Sequence, residues 1–120
     1  MNLEALTQLL SEKNGATKEF PFGEEAMVFK VRNKMFALVA WQENPLHVTL
    51  KSLPEDALGY REIYDCVRPG YYMNKKHWNT ITVDGSMKDD VLIEMINESY
   101  SLVVSKLTKK ERVLLQEQNG

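Results

Sequence analysis

The chain has 120 residues, with 15 Lys and Arg against 17 Asp and Glu, for a formal charge of −2. That length suits one domain over 1–120, and 43% hydrophobic with 27% charged residues is the ordinary globular range, which excludes a disordered body. No run of 18 apolar residues occurs, so no membrane span or membrane partner is expected. The opening MNLEALTQLLSEKNG has acid early and no basic n-region, unlike a signal peptide. Cys66 is the only cysteine, which excludes an internal disulfide and fits a reducing, cytoplasmic location.

A total near zero does not announce a nucleic-acid binder, but the charge is segregated along the chain. Residues 27–53 carry +3 and residues 67–82 carry +3, the latter from Arg68, Lys75 and Lys76 with no acid. Residues 1–26, 54–66 and 83–100 carry −3, −3 and −4, and 101–120 carry +2. Such blocks are either solvated faces that average out on folding or the two sides of a dipolar surface.

Leu3, Leu6, Leu9 and Leu10 stand at helical spacing, and Asn14-Gly15 ends that helix. Ala16 to Glu25, with Pro21 and Gly23, reads as loop. Met27, Phe29 and Val31 alternate with Val28, Lys30 and Arg32, the pattern of a half-buried strand, and Asn33 supplies a tight turn. Lys34 to Trp41 is almost wholly apolar, which suits a central strand. After Glu43-Asn44-Pro45, residues Leu46, Val48 and Leu50 point one way and His47, Thr49 and Lys51 the other, completing an antiparallel meander.

Ser52-Leu-Pro-Glu55 has the form of a capping box opening a helix to about Cys66, and Pro69-Gly70 breaks the chain. His77 to Val83 reads as a strand with Trp78, Thr80 and Thr82 on one side. Ser86 and Asp89 have the form of a second capping box. It precedes the clearest amphipathic helix, Leu92, Met95, Ile96, Ser99, Leu102, Val103 and Leu107. A polar helix or tail follows from Thr108. The order is α-β-β-β-α-β-α(-α), an α+β fold with a small antiparallel sheet and helices on one face.

No catalytic constellation emerges, so no enzyme is expected. Cys66 has no base at any informative spacing and reads as a small buried hydrophobe. His47, Cys66 and His77 match no zinc spacing, and no phosphate-cradling glycine loop occurs, so neither metal nor cofactor is expected. Asp89-Asp90 stands where carboxylates stabilise a helix dipole.

The segment Arg68-Pro-Gly-Tyr-Tyr72-Met-Asn74-Lys75-Lys76-His77-Trp78-Asn79-Thr80 interleaves three bases with two tyrosines and a tryptophan. Bases attract phosphates, aromatic faces stack on exposed nucleobases, and Asn and Thr add neutral hydrogen bonds. The same residues also fit a structural seam, with tyrosines and tryptophan filling space and Lys75-Lys76 blunting a sheet edge.

Pro21-Phe22-Gly23, Phe29-Lys30-Val31, Lys34-Met-Phe-Ala-Leu38, Leu50-Lys51, Pro69-Gly-Tyr-Tyr-Met-Asn-Lys-Lys-His-Trp-Asn-Thr80 and Ser99-Tyr-Ser-Leu-Val103 together resemble the MmcQ/YjbR family over nearly the whole chain. The resemblance implies a fold similar to the bacterial frataxin CyaY. It also implies a double-wing arrangement for which the family is described as predicted DNA-binding. Its wings would be the turn Arg32-Asn33-Lys34 and the loop Asn74 to Asn79, with Lys51 ending the third strand. Phosphate contacts would then fall to Arg32, Lys34, Lys75 and Lys76, joined by Lys51, Arg68, Tyr72, Asn74, His77 and Trp78. Ser52 stands where cysteine is frequent in the family. The expectation is a monomeric, non-catalytic DNA-binding protein. The alternative is a protein-interaction or regulatory adaptor with no nucleic-acid role. A frataxin-like iron site would need a ridge of acids, and Glu4, Glu12 and Glu19 are too sparse for one.

Overall fold

The computed structural model describes the backbone of residues 1–70 and 73–119, with side chains through Glu117. Helix α1 (Leu3–Ser11) is capped by Asn2, whose side chain accepts from the Ala5 amide at 2.8 Å, and buries Leu6 and Leu10. The alternating segments form β2 (Met27–Val31), β3 (Lys34–Ala40), β4 (His47–Lys51) and β6 (Trp78–Thr82). Two strands were not expected: β1 (Ala16–Glu19), in a segment read as loop, and β5 (Val67–Pro69). Among the described residues the sheet has six strands in the order β1-β2-β3-β4-β6-β5, every neighbouring pair antiparallel. β3 lies inside the sheet, as its apolar run requires.

The register sorts side chains onto two faces. Phe29 meets Ala37, Ala37 meets Leu50, Val39 meets Val48, and Val48 meets Ile81. All of these are buried beneath the helices. The opposite face carries Leu38, Thr49 and Thr80 in one row, and Lys51 and Trp78 in another. Arg32 and Asn33 both have positive φ (48° and 66°), the geometry of a two-residue hairpin turn that follows the twist of the strands.

Helices α1, α2 (Pro54–Ile63) and α3 (Asp89–Ser105) cover the apolar face, and α4 (Lys109–Asn119) adds Leu115 to the core. A β-bulge ties α3 to the sheet. Phe29 pairs with Ala37 and Lys30 with Met35, so Phe36 is an extra residue on β3. Its carbonyl accepts from the fully buried Ser99 hydroxyl at 2.5 Å, and that oxygen accepts from the Lys51 amide at 2.9 Å. One hydroxyl on α3 thus satisfies two strands.

Two expected capping boxes are corrected. Leu53, not Ser52, is the N-cap of α2, because the Ser52 amide is already committed to the His77 carbonyl at 2.7 Å and its side chain is fully buried. Lys88, not Ser86, precedes α3, because Ser86 bonds Asp84 Oδ1 through both its amide (2.9 Å) and its hydroxyl (2.6 Å). The box forms instead at α4, where Thr108 and Glu111 bond reciprocally at 3.1–3.2 Å. Helix α2 also stops at Ile63, short of Cys66, which lies buried before β5.

Candidate nucleic-acid interface

The antiparallel ladder gathers the basic segments at one end of the sheet. Lys51, the last residue of β4, faces Trp78, the first of β6. The Arg32-Asn33 turn and Lys34, the first residue of β3, lie at the same end. The opposite end carries Glu43 after β3, Asp65 before β5, Asp84 after β6, and Asp89 and Asp90 opening α3. Most bases of the two +3 segments therefore lie at one end of the molecule, although Glu55 and Asp56 open α2 on the helix side there and Glu111 of α4 approaches Arg32.

At the basic end a groove of about 340 Å³ is lined by Lys34, Met35, Lys51, Trp78, Val103 and Lys106. None of these is acidic. Among the described residues Lys34, Lys51 and Lys106 form no ion pair, and the Trp78 indole N–H forms no hydrogen bond. Trp41, by contrast, donates to the Glu24 carbonyl at 2.7 Å. Trp78 is half-buried. The chain passes close behind it at Gly70, where an added Cβ would lie 3.3 Å from the Trp78 Cβ and 3.4 Å from Thr49 Cγ2. A side chain there would be tight, and Trp78 or Thr49 would have to give by a few tenths of an ångström to admit it.

Lys106 was missed in the sequence. It caps the C-terminus of α3, 17 residues long, and only the helix's passage across the sheet brings it beside Lys34.

A second hollow lies beyond Trp78, lined by Pro54, Leu58, Arg61, Lys75 and Lys76. Arg61 supports it from below. Its Nε donates to Asn79 Oδ1 at 2.6 Å and its Nη2 to the Lys75 carbonyl. The fully buried Asn79 in turn donates from Nδ2 to the Ala57 carbonyl at 3.0 Å. That chain of bonds fixes the loop before β6 to α2.

The other expected contact residues divide. Asn74 is a turn former: its Oδ1 accepts from the Lys76 amide at 3.0 Å and its carbonyl from the His77 and Trp78 amides. His77 is half-buried and its carbonyl accepts from Ser52. Arg68 is exposed on β5, opposite Thr80 and away from the groove lining. Arg32 turns toward α4, with Nε buried, 3.9 Å from Glu111 Oε2 and without a hydrogen bond among the described residues. Glu111 is held below the usual carboxylate range, first by the Thr108 amide and further by Arg32 and Lys34. Tyr72 lies outside the described residues, as does Tyr71.

A second groove, of about 310 Å³, opens on the helix-free face between Leu38, Ala40, His47, Thr49, Met73 and Thr80. Thr49 and Thr80 hydroxyls bond each other at 2.8 Å there. No group of three or more His, Cys, Asp or Glu residues able to hold a metal occurs among the described residues, and no helix among them is long and apolar enough to cross a membrane.

Comparison with known proteins places this architecture. The YjbR family model matches residues 11–102. The chain is 35% identical over 115 residues to the uncharacterised protein YjbR of Escherichia coli K12, covering 96% of this chain and 98% of that one. It is 38% identical over 93 residues to YbdF of Escherichia coli O157:H7, covering 78% and 76%. The crystal structure of DR2400 from Deinococcus radiodurans, a DUF419 domain, superposes with a TM-score of 0.91 at 36% identity, over 96% of this chain and 88% of that one. A Pseudomonas syringae crystal structure shares the fold, with a TM-score of 0.73 at 22% identity over 86% and 99%. The matched stretch contains both basic strand ends and the loop between β5 and β6, and by that match the chain belongs to the YjbR family.

Proposed function

We propose that the protein is a non-catalytic DNA-binding protein that grips the phosphate backbone with the basic end of its sheet. The observation that carries this reading is the groove in which Lys34, Lys51 and Lys106 converge beside Trp78 with no carboxylate in its lining. Lysines without ion pairs keep their charge available for phosphate, and clustering them on one end turns a net charge of −2 into a steering dipole. The β2–β3 turn and the loop before β6 flank the groove as two wings, in line with the double-wing arrangement that the family resemblance implies. Lys76 extends the contact beyond Trp78.

Four phosphate contacts give a log–log salt slope of about −3 to −4 on duplex DNA. Fluorescence anisotropy with labelled duplex and single-stranded DNA at several salt concentrations tests this. Binding weaker than ~100 μM at low salt rules it out, since non-specific binders are normally tighter. A protein-interaction role is the second reading. It is favoured by three large apolar side chains exposed in and beside α2: Leu53 at 52%, Leu58 at 58% and Ile63 at 71%. A stoichiometric partner retained after nuclease treatment supports that reading instead.

A further inference from the structure

We infer that the groove at the basic end seats an unpaired nucleobase on Trp78, so that single-stranded DNA is the preferred form; this rests on the DNA-binding reading above. Three observations carry it. First, the groove has an aromatic wall as well as cations: Trp78 lies directly opposite Lys51 across the β4–β6 ladder, with Lys34 and Lys106 lining the same hollow. A surface that only follows a duplex backbone needs cations alone, whereas an indole between lysines offers a stacking plane within reach of the phosphate contacts.

Second, Trp78 is not used up by the fold. Its indole N–H has no hydrogen bond among the described residues, and its ring makes no aromatic pair there, while Phe36 meets Phe29 in a tilted pair and Tyr100 edge-to-face. A buried tryptophan usually finds a protein partner for its N–H, whereas Trp78 is half-buried and its N–H is not among the buried unpaired atoms, which leaves the indole edge open to solvent or ligand. Third, the platform is rigid. The Gly70 approach sets the Trp78 backbone from one side, and Asn79, its neighbour in β6, is locked to Arg61 and Ala57 from the other. Met35 and Val103 supply apolar surface in the same groove, which suits a base and not a phosphate. The flat face of a base inside a duplex is covered by its neighbours, so this seat is open only to an unstacked nucleotide.

The test uses a Trp41→Phe background, in which Trp78 is the sole indole. Titration with oligothymidylate quenches the Trp78 emission, and the same length of duplex binds more weakly and quenches less. Trp78→Leu removes the ring and lowers single-strand affinity about 5- to 150-fold, while Trp78→Phe retains most of it. Melting curves first establish that each variant is folded. If Trp78→Leu does not fold, quenching in the Trp41→Phe protein decides alone. Unquenched emission at saturating oligothymidylate overturns the inference, as does equal affinity for both strand forms. Retained duplex binding in that case leaves the DNA-binding reading standing, and absence of binding to either form removes both.

Discussion

The buried Ser99 hydroxyl of α3 accepts from the Lys51 amide at 2.9 Å, so a core residue sets the backbone of a groove residue. The same hydroxyl donates to the carbonyl that the β-bulge frees at Phe36. Ser99→Ala therefore leaves two backbone groups without their partner. We expect a loss of about 2–3 kcal/mol in urea denaturation, from the desolvation cost of unpaired polar groups. Ser99→Thr, which keeps the hydroxyl at the expense of one methyl in a tight site, is expected to lose less.

Replacing Lys34, Lys51 and Lys106 together by alanine removes the three cations proposed to hold phosphate. The salt slope on duplex DNA is expected to fall by about 2.7, from the loss of roughly 0.9 per contact. Stability should stay within about 1 kcal/mol of the parent, because none of the three lysines makes an ion pair among the described residues. An unchanged slope in a folded variant would show that phosphates are held elsewhere.

Trp78→Ala separates packing from binding. A fully buried aromatic loses about 3–5 kcal/mol on truncation, but Trp78 is only half-buried, so about 2 kcal/mol is expected by chemical denaturation. A loss in the full range would make the indole chiefly a core residue.

Ser52 is fully buried, and its hydroxyl has no hydrogen-bond partner among the described residues. Ser52→Ala removes a desolvated polar atom without breaking a bond, since the Ser52 amide keeps the His77 carbonyl. Stability is expected to stay level or rise by up to about 1 kcal/mol. A clear drop in melting temperature would reveal a bond to that hydroxyl.

Glu98 sits between α2 and α3, accepting from the Tyr60 hydroxyl at 3.3 Å and the Leu53 amide at 3.4 Å. Burial, and then the neighbouring Asp56, raise its carboxyl above the ordinary 4.5, while burial and Glu98 itself push the Tyr60 phenol up to about 12. A raised carboxyl pKa means that the folded state holds the proton more tightly than the unfolded chain. The cost of its charge is thus absent below about pH 4.5 and complete above the folded-state pKa. Glu98→Gln is expected to stabilise at neutral pH by less than about 1 kcal/mol, given solvent screening, and to be indistinguishable from the parent below pH 4.5. The difference between the two melting profiles against pH isolates this group from Asp84 and Glu111, whose carboxyls are lowered.

Four strands and the long helix were legible because their apolar residues repeat with the period of the element: Leu46, Val48 and Leu50 for β4, and the Leu92-to-Leu107 stripe for α3. β1 was not, since Ala16-Thr-Lys-Glu19 has no apolar alternation and owes its conformation to the ladder with β2. β5 is three residues long, too short to show a period. Capping boxes at Ser52 and Ser86 misled because other partners claimed those serines first: the His77 carbonyl across the sheet for Ser52, and the carboxylate of Asp84 within the local turn for Ser86. At the site, the pairing of Lys51 with Trp78 follows from strand register, which one sequence does not reveal. Lys106 becomes a neighbour only through the rise of α3, about 1.5 Å per residue.

The unexpected strands are also the two borders of the sheet. β5 ends its ladder at Pro69, which lacks a backbone N–H to offer an incoming strand, and β1 offers only four residues with Thr17 and Lys18 exposed. Neither rim provides the long, flat, apolar template on which chains zip together. The sheet is thus finite by construction, and the protein can carry a sticky basic groove at the strand ends without inviting fibril growth along its sides.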